Sequence, residues 1–249
     1  MRLRDSYGLP VGRGETKFSD VSVPEPHGGV GLATFPRRLV GSWAVLAIGA
    51  CGILAAEVPR SSQPARRSVL IKDVPHVRQK PDFCGEACVA MYLNKLGVQA
   101  DQDYVYDQSG LSPVHGRGCY TRELTAALKR IGFRVGSGGT KVSAQNSAAE
   151  LNAAFGDLHA DLAKGIPSIA CMHYDDQPNT TEHFRLILGY DAATDEVVYH
   201  EPARAEGKYR RMKRAMFLKL WPLKYDAKEW TVIRLRLEPG RIANSPPSA

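Results

Sequence analysis

Several things are missing from this 249-residue chain, and each absence closes off a class of function. There is no Gly-rich nucleotide-binding loop ending in Gly-Lys-Ser/Thr and no series of long apolar runs. A nucleotide-driven motor and a multi-span transporter are therefore not legible in it. Cysteine is scarce, at five residues. The only close pair, Cys84 and Cys88, falls on one predicted helix without a matching histidine pair, which is poor spacing for a metal site. No metal and no other cofactor is implied. The basic run 208–214 lacks the aromatic interleaving that would make nucleic acid a partner. Its first expectation is a solvated helix or strand face, with contact to anionic surfaces or acidic substrates as the alternative. The net charge of +7 and pI near 9.2 are basic without being extreme. A hydrophobic content of 43% supports a sizeable core, and the length suits one domain with extensions.

The extensions come first. Residues 1–36 are rich in Gly and Pro, without sustained periodicity, and read as disordered. Arg37-Arg38 then precedes an uncharged apolar run, 39–56, so that 37–57 has the layout of a signal peptide or a signal-anchor. The run is at the short limit for a spanning helix, and its small terminal residues suit cleavage near Ala56. The rest of a twin-arginine pattern is absent. Ile48-Gly49-Ala50-Cys51 loosely resembles a lipoprotein box in which Cys51 would carry lipid. Residues 58–67 are a polar linker, 68–237 the folded domain and 238–249 a loose tail. The expectation is a domain outside the cytoplasm, periplasmic or extracellular, freed or tethered to the membrane through 39–56. An exported chain can form disulfides, and pairs among Cys88, Cys119 and Cys171 stay open.

Within the domain, 79–98 organises the rest. A polar, proline-containing turn brings Cys84 to where a helix should begin. Ala87, Cys88, Met91, Tyr92 and Leu96 then recur at helical spacing, and Gly97 reads as the stop. Unpaired N–H groups and the helix dipole at such a start favour a thiolate, the nucleophilic form of cysteine. Cys88, one turn deeper, reads as a buried apolar residue.

A cysteine nucleophile needs a histidine base, and the base needs an orienting partner. Residues 181–191 place His183 at the start of an apolar strand that ends in a Gly189-Tyr190-Asp191 turn. The next strand, 196–200, leads into Glu201-Pro202-Ala203. Two adjacent strands would hold His183 and Glu201 side by side. His173, at the end of the preceding strand, is the rival base and ranks below His183. The remaining histidines, His76, His115, His159 and His200, read as surface or supporting residues. Cys119, near the start of another helix, is a weaker candidate thiol.

In order, Gln79, Cys84-Gly85-Glu86-Ala87-Cys88, His183-Phe184 with Gly189-Tyr190-Asp191, and Glu201-Pro202-Ala203 resemble the papain-like cysteine peptidases of the bacteriocin-processing, double-glycine-leader type, peptidase family C39 and its relatives. The resemblance spans 69–237. It implies an α+β papain-like fold, N-terminal helices packed on an antiparallel sheet. It also implies a cysteine peptidase acting on peptide or protein substrates as a monomer. Cys84 would be the nucleophile, His183 the base and Glu201 the orienting acid. Gln79 would help the Cys84 N–H hold the oxyanion. One departure stands out: the family's third member is usually Asp or Asn, and this chain has Glu201. The same constellation could pass the acyl group to an amine or thiol, making an acyltransferase, or persist as a non-catalytic peptide-binding module. With no multi-span segment and no nucleotide loop, leader processing inside an exporter is not expected.

The remaining elements follow from periodicity. A strand is predicted over 68–75 and a short helix over 101–106, followed by a loop over 109–118. The next helix has Thr121 as N-cap and Leu124, Ala127, Leu128 and Ile131 as its buried face. A short strand follows at 133–135 and a Gly/Ser-rich loop at 136–143. A helix over 148–162 buries Leu151, Phe155, Leu158 and Leu162, and a strand follows over 166–174. The polar loop 175–181 should rim the cleft. A helix within 207–220 should lay Phe217 and Trp221 on the core, and 230–237 should close the sheet as a half-exposed strand.

Overall fold

The computed structural model describes residues 66–242. The expectations for 1–36, 37–57, most of the linker and 243–249 fall outside the described residues.

A seven-stranded antiparallel sheet is the centre of the domain. Its strands are β1 (Val69–Leu70), β3 (Gly138–Ser143), β4 (Ser168–His173), β5 (Glu182–Asp191), β6 (Glu196–His200), β7 (Arg210–Lys213) and β8 (Glu229–Arg236). They lie in the order β3-β8-β4-β5-β6-β7, with β1 pairing the far end of β5 at Val69↔Tyr190 and Leu70↔Gly189. A separate two-stranded piece joins β2 (Phe133–Arg134) to β9 (Glu238–Pro239). Helices cover both faces. On one side α1 (Cys84–Lys95), α2 (Gln102–Asp107) and α3 (Thr121–Ile131) pack through Met91, Val105 and Leu124 onto Phe184, Leu186 and Leu235. On the other, α4 (Ser147–Leu162) and α5 (Arg214–Leu220) set Phe155, Phe217 and Trp221 against Met172, Ile187 and Val197. Phe155, Phe217 and Trp221 are each fully buried, worth about 2–3 kcal/mol apiece in removed apolar surface.

Most expected elements are present, and the exceptions have physical causes. Thr121 is the first helical residue, and Tyr120 is the cap. The backbone N–H of Tyr120 is held by Glu123 Oε2 at 3.1 Å, the return half of a capping box. The 136–143 segment is largely strand, because Gly138–Ser143 pairs along its whole length with β8. The basic run is a strand followed by a helix. Arg211 and Lys213 of β7 pair with Asp191 and Glu196, and Arg214 with Asp195, so acidic neighbours across the sheet take up its charge. In β8, Arg234 and Arg236 are partly exposed, as a half-exposed strand requires, and their guanidinium groups converge on Asp161 of α4. Gly189 and Tyr190 belong to β5 itself. A Cβ at Gly189 would lie 2.6 Å from the Val69 carbonyl, so the glycine is what lets β1 approach. The four cysteines among the described residues are all free. Among these residues no helix is long and apolar enough to cross a membrane.

Candidate active site

Three segments converge at one end of the sheet. The first is the turn into α1. Phe83 N–H bonds the Lys80 carbonyl at 3.1 Å, and the helix opens at Cys84 with no side-chain cap on its N–H groups. Gly85 is fixed by proximity: an added Cβ would sit 2.6 Å from Leu124 Cδ2 and 3.2 Å from Phe184 Cδ2. The helix start is thereby pressed onto β5, and Cys88 Sγ, one turn on, donates to the Phe184 carbonyl at 3.8 Å.

The second segment carries Gln79. Its neighbours are clamped by Gln102 of α2, whose Oε1 accepts from Lys80 N–H at 2.8 Å and whose Nε2 donates to the Arg78 carbonyl at 3.0 Å. Gln79 N–H bonds the Pro202 carbonyl at 2.9 Å, which fastens this extended segment to the turn after β6. Among the described residues its buried side-chain Oε1 has no hydrogen-bond partner.

The third is β5 with the 201–203 turn. His183 Nε2 lies 2.5 Å from Glu201 Oε1, which also accepts from Ala203 N–H at 3.1 Å. The other carboxylate oxygen, Oε2, accepts from Arg185 Nε at 2.7 Å. Burial pushes the Glu201 carboxyl up, but the His183 hydrogen bond and the charges of His183 and Arg185 outweigh it and bring it down to about 2. The carboxylate is therefore ionised and can only accept, so the imidazole proton sits on Nε2. In the neutral ring Nδ1 is then a bare lone pair, able to take a proton. Tyr174 stands edge-on to this ring at 5.2 Å.

Gln79, Cys84 and His183 line one cleft of about 1040 Å³, with Cys119, Tyr120, Cys171, Ala203 and Tyr225 around them. Glu201 is buried behind His183, at 2% exposure. His173 does not line this cleft. It pairs with Glu182, one residue out of step with His183, so the two histidines occupy opposite faces of the sheet. The Cys84 thiol differs from expectation. Burial pushes it up to about 11, the backbone at Phe184 pulls it down, the Glu86 charge raises it, and the amides of Gly85 and Cys84 itself lower it. The helix start acts on the sulfur, but burial wins. Cys119 and Cys171 are buried as well, and burial pushes the Cys119 thiol up to about 12.

Two participants escaped sequence reasoning. Arg185 is a charge inside an apolar strand, two residues from His183 and hence on the same face, and that anomaly was the available signal. Glu86 is fully buried on α1, and its Oε1 accepts from Cys119 N–H at 2.7 Å, so it anchors the opposite wall of the cleft. His76 and His200 take the supporting place of the two the sequence offered, beside Glu201. His76 Nε2 lies 2.9 Å from the Glu201 carbonyl, and His200, with no exposure at all, bridges Val74 O and Tyr209 N–H. His200 is not a surface residue.

Helices on an antiparallel sheet, with a helix-borne thiol and a strand-borne imidazole in one cleft, are the architecture of a cysteine peptidase. A family model described as the peptidase C39-like family matches residues 71–228, well over half of the chain, and the chain belongs to that family. Three solved structures are similar to it. A Bacillus anthracis protein assigned as a C39-like peptidase is 15% identical, with a TM-score of 0.46, covering 67% of this chain and 98% of its own. The peptidase domain of Streptococcus ComA, a bi-functional ABC transporter involved in a quorum-sensing pathway, is 17% identical, with a TM-score of 0.41, covering 67% and 99%. A double-glycine-motif protease from an AMS/PCAT transporter, solved in complex with the leader peptide, is 14% identical, with a TM-score of 0.38, covering 68% and 98%. Comparison with curated proteins returns no match.

Proposed function

We propose that the protein hydrolyses peptide bonds with Cys84 as nucleophile, His183 as base, Glu201 as orienting acid and Gln79 as oxyanion donor. The observation that carries this reading is the 2.5 Å contact between His183 Nε2 and the Glu201 carboxylate, which leaves Nδ1 as the basic nitrogen in a ring that shares its cleft with Cys84. In the first step Nδ1 takes the thiol proton as the sulfur bonds to the substrate carbonyl carbon. The carbonyl electron pair moves to oxygen, where the Gln79 amide and the Cys84 N–H receive it. Collapse expels the amine, which leaves with the proton from the imidazolium. Water, deprotonated by His183, then attacks the thioester and releases the acid, and the proton returns to sulfur. No metal or cofactor enters these steps.

The substrate is a peptide or protein, reached outside the cytoplasm by a monomer exported or tethered through 39–56. The test is cleavage of a diverse peptide library by the full chain, read by mass spectrometry. Cleavage lost with Cys84→Ala and His183→Ala supports the assignment, and cleavage retained by Cys84→Ala overturns it.

A further inference from the structure

The chemistry above makes no use of Arg185, yet few side chains in the domain are more completely engaged. It is 4% exposed. Its Nε donates to Glu201 Oε2 at 2.7 Å, Nη1 to the His173 carbonyl at 3.2 Å and Nη2 to the Tyr174 carbonyl at 2.7 Å. The Tyr174 and Tyr199 rings flank the guanidinium at 5.4 and 5.6 Å. Glu201 is thus divided: one oxygen serves His183 and the other meets a permanent positive charge.

That division has an electrostatic result. A lone buried carboxylate beside an imidazole draws a proton onto the ring, and in a cysteine enzyme the nearest proton is the thiol's. A carboxylate already neutralised by a guanidinium exerts much less pull, while it still accepts the Nε2 proton and fixes the ring. We propose that Arg185 is a positioning residue that cancels the charge of Glu201, so that Cys84 and His183 rest as thiol and neutral imidazole. The proton then crosses only as a substrate carbonyl is attacked. The inference rests on the roles given above to Cys84 and His183.

The other groups around the pair act in the same sense or weakly. On α1, Glu86 and Cys88 lie behind Cys84, and the Glu86 charge opposes a thiolate. On β4, Cys171 is buried and held protonated by its surroundings, while His173 occupies the opposite face from His183. Between the strands, Tyr174 presents a ring edge to His183. On β5, Glu182 sits exposed at the rim. Across the cleft, Arg117 is committed to Glu123 and the Gly118 carbonyl. Among the described residues, Arg185 alone places a permanent cation on the carboxylate that holds His183.

The experiment is the rate at which iodoacetamide alkylates Cys84 in the full-length protein at pH 7, followed by site-resolved mass spectrometry. Arg185→Gln keeps an amide donor but removes the charge. It should speed alkylation at least about tenfold, the factor that corresponds to one unit of proton affinity. Arg185→Lys restores the charge and should return the rate to that of the unmodified protein. Adding Glu201→Gln to Arg185→Gln should abolish the acceleration, because the effect runs through the carboxylate. Arg185→Met is the second neutral variant, and thermal melts identify any variant that does not fold. A rate in folded Arg185→Gln or Arg185→Met that is unchanged or slower overturns the proposal, as does equal acceleration by Arg185→Lys. The two readings fail separately. Alkylation accelerated in Arg185→Gln but indifferent to added His183→Ala removes the catalytic assignment, whereas a rate that depends on His183 but not on the charge at 185 removes only the role of Arg185.

Discussion

Gly207→Ala is the sharpest probe of how the fold holds Glu201. Gly207 lies six residues past the acid, in the loop that returns beneath it, and its carbonyl accepts Glu201 N–H at 2.9 Å. A Cβ built there would be 1.9 Å from the Glu201 carbonyl oxygen, 2.4 Å from His76 Nε2 and 2.9 Å from the Arg204 carbonyl. Contacts under 3.0 Å are essentially unknown for real Cβ atoms, so the Glu201 backbone or the 207 loop must retreat by at least about 1.1 Å. Two hydrogen bonds are at stake, Glu201 N–H to Gly207 and His76 to the Glu201 carbonyl, each worth about 1 kcal/mol. With the repacking strain the loss comes to roughly 2–4 kcal/mol, or a fall in Tm of about 5–15 °C for a domain of this size. A displacement near 1 Å in Glu201, proposed to aim His183, should lower peptide cleavage about 100-fold. Gly165→Ala is the matched control. Its φ of +78° also disfavours alanine, but nothing lies within 4 Å, so it should cost about 1 kcal/mol and leave cleavage unchanged. The assays are a thermal melt and library cleavage on both variants. If Gly207→Ala melts within 2 °C of the parent, roughly the shift from half a kcal/mol, and keeps its activity, the close-approach argument fails.

Three further outcomes follow from the same geometry. Burial holds His200 down to about 4 in the folded state, against 6.5 for the free side chain, so the unfolded chain binds its proton first. Stability from this residue is complete above about pH 6.5 and is lost as the pH falls towards 4, by about 3 kcal/mol. Urea midpoints measured from pH 8 to 4 should show that slope, and His200→Asn should flatten it. Glu201, held at about 2 against 4.5, adds a second loss between pH 4.5 and 2, and a flat profile there would contradict its pairing with His183 and Arg185. Asp161→Asn leaves Arg234 and Arg236 without their shared carboxylate between α4 and β8; the expected cost is about 3–5 kcal/mol by chemical denaturation, and a loss under 1 kcal/mol would show that pairing to be idle.

The strongest sequence signals were local ones. The three- and four-residue spacing from Ala87 to Leu96 gave α1, and Gly97, with φ of +83°, ends it as read. Leu151, Phe155, Leu158 and Leu162 gave the buried face of α4 in the same way. What went unread depended on partners distant in sequence. The glycines of 136–143 look like a loop until β8 supplies a strand to pair with, and the basic run looks helical until Glu196 and Asp191 stand beside it. The site follows the same rule. The order of Gln79, Cys84, His183 and Glu201 along the chain pointed to a family, and the structure brings the first three to one cleft with the fourth behind it. Arg185 went unassigned because its meaning lies in a carboxylate 16 residues away, in the turn just past the neighbouring strand. The depressed thiol expected from the helix start alone did not allow for β5 burying it.

β5 runs through the middle of the sheet, with β4 and β1 on one edge and β6 on the other. One short stretch of it carries His183 and Arg185 on one face and the core residues Phe184 and Leu186 on the other. The cleft therefore keeps two clocks. Amides from 184 to 188 should exchange with solvent only when the whole domain opens. Those of the rim, the 113–118 and 175–181 loops, need only local fluctuations. The groups proposed to react inherit the lifetime of the fold, while the walls of the cleft are free to change sequence and shape without disturbing them.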